Sequence, residues 1–259
     1  MKFKLLLSAL TSFRNLGIFI LLMFVSVNLT GRMDYITLGL PILCYLGLSL
    51  QSFTSKKFQD NFIHNSKKKL IKNLNETCIK LAADTKRYTN AAYYKKLCSI
   101  LQDKSEIVQA YHKDEFNYLK ERITEQTLNL VITYIKLLRN FCKRSRDLNL
   151  KDVNHIMERV NQNTRKLNFI TDQNVLEDLK RTIELDEKIL ARMKEEKQDL
   201  ERIDTKLDYI SSTVNMFKHQ IGHSLESEEM LEKIENTLNE AMALETVLDQ
   251  RQRRKNSAY

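Results

Sequence analysis

Glycine and proline are nearly missing from this chain. Among 259 residues there are five glycines and one proline. Gly17, Gly31, Gly39, Gly47 and Pro41 all fall in the first fifty residues, so Gly222 is the one such breaker from position 51 onward. Tight turns draw on glycine for positive φ and on proline for a preset φ. A sheet protein needs many of them, so β architecture is excluded for most of the chain. The same shortage excludes the glycine-rich phosphate loop, the dinucleotide fingerprint and the nucleophile elbow beyond residue 50. What remains is a set of long helices joined by short polar links.

Cysteine is also sparse. Cys44, Cys78, Cys98 and Cys142 show no metal-knuckle spacing and read as buried small hydrophobes or spare thiols in a reducing compartment. His219 and His223 are four apart, but only Gln220, Ile221 and Gly222 lie between them, so the glutamate of a zinc-protease motif is absent. A helix-end role is expected for them, and no metal or other cofactor. Asn28-Leu29-Thr30 and Asn75-Glu76-Thr77 match the glycosylation pattern, which matters only on a luminal side.

Long apolar runs, by contrast, are present at the start. Leu16 to Val27 is uninterrupted, and Tyr35 to Leu50 carries no charge. A helix needs ~20 apolar residues to cross a bilayer core. Spans of about 10–29 and 35–53 meet that length, and the short connection through Gly31, Arg32, Met33 and Asp34 makes them an antiparallel hairpin. Pro41 is tolerable inside the second span. Lys2, Lys4 and Arg14 precede the first span, and Lys56, Lys57, Lys67, Lys68, Lys69 and Lys72 follow the second. The positive-inside rule then puts both termini in the cytoplasm, at a bacterial inner membrane. A cleaved signal peptide fits less well, because Arg14 and Asn15 interrupt it and no A-x-A site follows. Phe3–Phe13 could also lie on the membrane surface as an amphipathic lead-in.

The rest reads as amphipathic helices. Leu70, Leu74, Cys78 and Leu81 form one stripe. Residues 88–111 continue it, with a break expected near Asp103–Ser105. From Phe116 to Phe141 the stripe is broad, with Leu128, Val131, Ile135 and Leu138 widening it, which implies burial against several neighbours in a bundle. Residues 151–170 form a further helix. From Asp172, a candidate N-cap, a seam runs through Leu176, Leu179, Ile183, Leu190, Met193 and Leu200, then restarts at Ile203, Leu207, Ile210, Val214 and Phe217. Gly222 marks a turn, and a last helix follows to about Leu248. Asp186 and Lys197 fall in seam positions, where they could fix register or simply reach water.

The expected fold is therefore all-α: a transmembrane hairpin (1–53), a basic membrane-proximal bundle (54–171), an acidic antiparallel coiled-coil hairpin (172–249) and a basic disordered tail (250–259). Charge follows the same division. Residues 51–171 hold 24 Lys and Arg against 12 Asp and Glu, whereas residues 172–245 hold 10 against 19. Juxtamembrane lysines attract anionic lipid by ~1 kcal/mol each, so the basic part is expected at the inner leaflet, with the acidic part projecting away or folding back onto it. Nucleic acid is not an expected partner, since no recognition module is visible.

Two N-terminal spans, a basic helical segment and the helix Thr127–Phe141, TLNLVITYIKLLRNF, resemble the bacterial XpaC-like proteins, named for bromo-chloroindolyl phosphate hydrolysis. The resemblance covers about residues 10–170 and implies little chemistry. This chain lacks a proline near that helix, and its long C-terminal helices are additional. No catalytic residue is carried across. The expected role is a membrane-anchored scaffold that binds a protein partner, or itself, through its seam, with no small-molecule substrate and no enzymatic activity. A pore-forming effector is the alternative. Against it, Asn15, Ser26, Asn28, Thr37 and Ser49 are few polar residues to line a water path.

Overall fold

The structure, a computed structural model, describes residues 10, 11, 13–30, 35–113, 117–149, 153–223 and 227–257. Among them there are eight helices: α1 (Phe13–Thr30), α2 (Tyr35–Thr54), α3 (Lys56–Lys86), α4 (Ala91–Lys113), α5 (Tyr118–Asn149), α6 (Val153–Leu167), α7 (Gln173–Gly222) and α8 (Glu228–Ser257). The all-α expectation is met over the described residues. Two compact units divide at Leu70/Ile71, inside α3.

In the first unit α1 and α2 run antiparallel. Asn15 Nδ2 donates to Ser52 Oγ at 3.1 Å, and the rings of Phe19 and Tyr45 meet at 4.9 Å. Asn15, Pro41, Ser49 and Ser52 are buried, while Leu16, Ile20, Leu21, Phe24, Leu43 and Leu50 are exposed. Among the described residues no helix is long and apolar enough to cross a membrane. The described side chains of α1 end at Val25. The expected connection at 31–34 and most of the Phe3–Phe13 lead-in lie outside the described residues.

The second unit is a bundle built on α5. Ile123, Leu128, Leu130, Val131, Tyr134, Ile135, Leu137 and Leu138 are all 0% exposed. At 100° per residue these positions cover roughly half the helix circumference, so no single neighbour can bury them. α4, α7 and α8 pack directly along α5. Ile71, Cys78 and Ala82 of α3 join the same core. That stripe of α3 is rotated slightly from the expected one, since Leu70 is exposed and Ile71 is buried. Phe116 lies outside the described residues.

Helix starts are set by local chemistry. The side chains of Asn90, Asn117, Asp172 and Ser227 accept from backbone N–H groups at the starts of α4, α5, α7 and α8. Each satisfies a donor that the first turn cannot use internally.

Three expectations need correction. First, α4 runs unbroken through Asp103–Ser105. Asp103 accepts from Lys218 Nζ at 2.7 Å, and Lys104 Nζ donates to Asn75 Oδ1 at 2.6 Å. These polar residues read as a break because they are polar, yet they are interior contacts.

Second, α7 and α8 do not form a two-helix coiled coil. They touch over a short stretch, and each lies mainly along other helices. α8 follows α5. The later half of α7 enters the core from Leu200 to Ile221, and the earlier half pairs with α6. Arg159–Asp186 fixes α6 and α7 as an antiparallel hairpin about the 168–172 link. Third, the tail is helical, since α8 continues to Ser257. Nothing in its sequence breaks a helix, and Arg251 is held by Asp199.

Leu130→Ala is expected to destabilise the intact chain by about 2–5 kcal/mol, because it leaves a cavity in a fully enclosed site. Leu185→Ala, on an exposed position, is expected within about 0.5 kcal/mol of the parent. Equilibrium urea unfolding followed by circular dichroism separates the two. Equal costs contradict the assigned core.

Candidate interaction surfaces

Charge segregation along the sequence becomes ion pairing across the second unit. Lys96 of α4 reaches Asp208 at 2.7 Å and Asp204 at 3.5 Å on α7. Arg122 and Lys136 of α5 meet Glu235 and Glu245 of α8 at 3.0 and 3.2 Å. Lys218 of α7 reverses the direction by meeting Asp103 of α4. The acidic C-terminal helices thus fold back onto the basic ones before them. The pairs of Lys96, Arg122 and Lys136 are exposed and contribute about 0–1 kcal/mol each, so their effect is on which helices meet.

A buried cluster sits where α7 leaves the core. Asp199 is 7% exposed. It accepts from Arg144 Nη2 at 3.2 Å and, with both oxygens, from Arg251 Nη1 at 2.8 and 2.7 Å. Arg144 also donates to Glu196. One carboxylate therefore ties α5, α7 and the end of α8 together. Beside it an open groove of about 760 Å³ lies between the end of α5, the start of α6 and α7, with Phe141, Asn149, Asn154, Lys197 and Leu200 among its lining.

Expected site residues fall in two classes. Lys56, Lys57, Lys68, Lys69 and Lys72 are exposed along α3, and Lys67 is half-buried. The seam splits in two. Leu176, Leu179, Ile183 and Leu190 are half-buried against α6, whereas Met193, Leu200, Ile203, Leu207, Ile210, Val214 and Phe217 are buried. From Leu200 onward these are core residues, so they are not available to recognise a partner. Of the two polar seam residues, Lys197 is exposed and Asp186 is buried. Arg159 Nε donates to Asp186 Oδ2 at 2.7 Å, and that hydrogen bond holds the Asp186 carboxyl below the usual aspartate range. His219 and His223 close α7: the His223 N–H donates to the Gln220 and His219 carbonyls at 3.2 Å.

Sequence reasoning missed the exposed apolar residues of the α6–α7 hairpin, an arm that runs from Val153 to about Asp199. Met157, Phe169, Val175, Leu185 and Ile189 are all exposed, Phe169 at 85% and Leu185 at 61%. They sit off the seven-residue repeat, and that offset was the available signal.

No family model, curated protein or solved structure matches this chain. The stretch Thr127–Phe141, on which the XpaC-like resemblance rests, lies in the buried part of α5.

Burial raises the pKa of thiols and phenols in the core. Burial pushes the Cys78 and Cys142 thiols up to about 11, and burial together with Asp204 pushes Tyr93 up to about 12. Burial also raises Tyr134. Such thiols carry little thiolate at neutral pH and are poor nucleophiles.

Two predictions follow from these clusters. Asp199→Ala leaves Arg251 without its acceptor and Arg144 with one fewer, and is expected to cost about 1–3 kcal/mol in urea unfolding. Arg202→Ala, on an exposed neighbour, is expected near parent stability.

The second concerns alkali. Above pH ~9 the unfolded chain releases thiol protons that the folded chain retains, so stability falls as pH rises. Lys104 opposes this, because burial lowers its pKa, but it is one group against two thiols and three tyrosines, Tyr111 included. A thermal midpoint that rises between pH 8.5 and 10.5 contradicts the assignment.

Proposed function

We propose that this protein is a membrane-anchored helical scaffold. The segments 10–29 and 35–53, built on α1 and α2, span a bilayer, and the α3–α8 region carries the interaction surfaces on the cytoplasmic side. One observation supports this most: the α1–α2 pair is apolar outside and carries buried polar groups between its helices. Ile20, Leu21, Phe24, Leu43 and Leu50 are each more than half exposed, whereas Asn15 and Ser52 hydrogen-bond to each other between the helices. A water-soluble helix pair has the opposite arrangement. At 1.5 Å per residue, α1 and α2 are roughly 27 and 30 Å long, close to the thickness of a bilayer core.

The lysines of α3 suit anionic headgroups on the same side, by the same ~1 kcal/mol per residue. Partner recognition falls to the arm rather than to the buried seam. Deleting residues 172–259 is a poor test of scaffolding, since it removes core helices. Replacing residues 153–190 with a short flexible linker removes the arm and spares the core.

The anchor is tested by fractionation. The intact chain is expected in the pellet after salt and carbonate washing, and is expected to be extracted only by detergent. Cys98, exposed on α4, is expected to react with a membrane-impermeant maleimide in inverted vesicles and not in intact cells. Recovery of the intact chain in the washed supernatant refutes the anchor, and labelling of Cys98 from outside intact cells refutes the orientation.

A further inference from the structure

We infer that a cavity beside the end of α5 binds a phosphate monoester. The cavity holds about 370 Å³ and lies between the 87–90 link, the first turn of α4 and the last turns of α5. This goes beyond the scaffold reading and is independent of the anchor.

The surroundings of the cavity are cationic. Arg139, Lys143 and Arg146 step by four and three along α5. At 100° per residue they lie within about 60° of one another. Arg146 and Tyr88 both line the cavity. Lys143 Nζ stands 4.5 Å from the centroid of the Tyr88 ring, and the guanidinium carbons of Arg139 and Arg87 stand 5.4 and 5.9 Å from it. Lys86, in the last turn of α3, is a fifth cation.

Carboxylates do not balance them. Asp84 takes Arg139 at 2.8 Å and also Arg87. Asp147 is exposed and lies about 100° round α5 from Arg146. Among the described residues, neither Lys143 nor Arg146 makes an ion pair. Asp204, beyond Tyr93, is taken up by the Tyr93 hydroxyl and Lys96. The C-terminal ends of α3 and α5 each offset roughly half a charge. Five cations against Asp84, Asp147 and the two helix ends leave an excess of about two, which matches one phosphate monoester dianion.

The polar lining suits the same ligand. The Ser145 hydroxyl, the Asn149 amide and the Asn90 amide nitrogen have no hydrogen-bond partner among the described residues, since Asn90 uses only its oxygen, on the Tyr93 N–H. Each can donate to a phosphate oxygen, and Arg146 adds a planar fork of donors. Phe141 and Tyr93, whose rings meet at 4.8 Å, supply an apolar wall for the organic part. The volume is at the low end for small-molecule sites, so that part is small. An uncharged apolar occupant leaves the cations desolvated and unpaired.

Calorimetric titration of the full chain in neutral detergent micelles tests the site. The probes are glycerol 3-phosphate, inorganic phosphate and glycerol, at fixed ionic strength and pH ~7.5, where the monoester is a dianion. Saturable binding is expected for the two phosphates and none for glycerol. Arg146→Gln and Lys143→Gln are each expected to weaken binding by about tenfold or more, the effect of losing one charged donor. Arg202→Gln, which removes an exposed cation of α7, is expected to leave binding and the circular dichroism spectrum unchanged.

Phosphatidic acid added to the micelles separates a lipid headgroup from a free ligand. Displacement of glycerol 3-phosphate from the parent assigns the site to the lipid, as does phosphatidic acid binding that Arg146→Gln weakens. Soluble binding without such displacement assigns the site to a free molecule. Absence of saturable binding by every phosphate probe overturns the site. So does binding that Arg146→Gln and Lys143→Gln leave intact, or that Arg202→Gln weakens equally. The chain is in detergent throughout, so no outcome depends on the anchor.

Discussion

Burial of α5 on half its circumference is the constraint that organises the second unit. One covering helix accounts for a stripe of ~100°. α5 presents nearly twice that, from Leu137 round to Leu128, at 0% exposure. The helices next to it in sequence, α4 and α6, are too few to enclose it, and α6 packs on α7 instead. The later half of α7 and all of α8 therefore return to complete the enclosure. Their return places residues from Leu200 onward in the fold that encloses α5. The bundle is accordingly incomplete without residues 200–257.

Opposite charges help decide which surfaces meet. The early helices are rich in lysine and arginine, and the late ones in aspartate and glutamate. Hydrophobic burial is non-directional and leaves several helix orders nearly equal. Lys96 against Asp208, Arg122 against Glu235 and Lys136 against Glu245 penalise the wrong ones. Most of these pairs are too exposed to add much stability. The Asp199 cluster differs, since its carboxylate is withdrawn from water and its hydrogen bonds come from two arginines on separate helices, with the exposed Arg202 of its own helix 3.9 Å away. Removing either leaves a buried charge less well paired.

Element type was legible in the sequence, and helix partners were not. The scarcity of glycine and proline gave the all-α class, Asp172 gave the start of α7, and the broad stripe of α5 announced a bundle. Periodicity shows which face of a helix is buried but says nothing about what buries it. The seam from Leu176 to Phe217 is one continuous pattern, yet its first half meets α6 and its second half meets the core. Asp103 and Lys104 read as a break because polarity in a sequence usually means solvent, and only the folded chain supplies Lys218 and Asn75. Val175, Leu185 and Ile189 were passed over because they fall between the repeat positions that a seam search counts.

The two roles of α7 also bear on mechanics. Fifty residues of unbroken helix extend roughly 75 Å. About half of that length is fixed in the core by Ile203, Leu207, Ile210, Val214 and Phe217, all at 0% exposure. The other half forms the arm. No link separates them, so the arm is aimed by the core, and a force on its tip is carried along α7 to the residues that enclose α5. The Asp199 cluster stands at the crossing point and braces the helix against α5 and the end of α8. An arm held this way presents its exposed apolar residues at a fixed angle and loses little conformational freedom on meeting a partner.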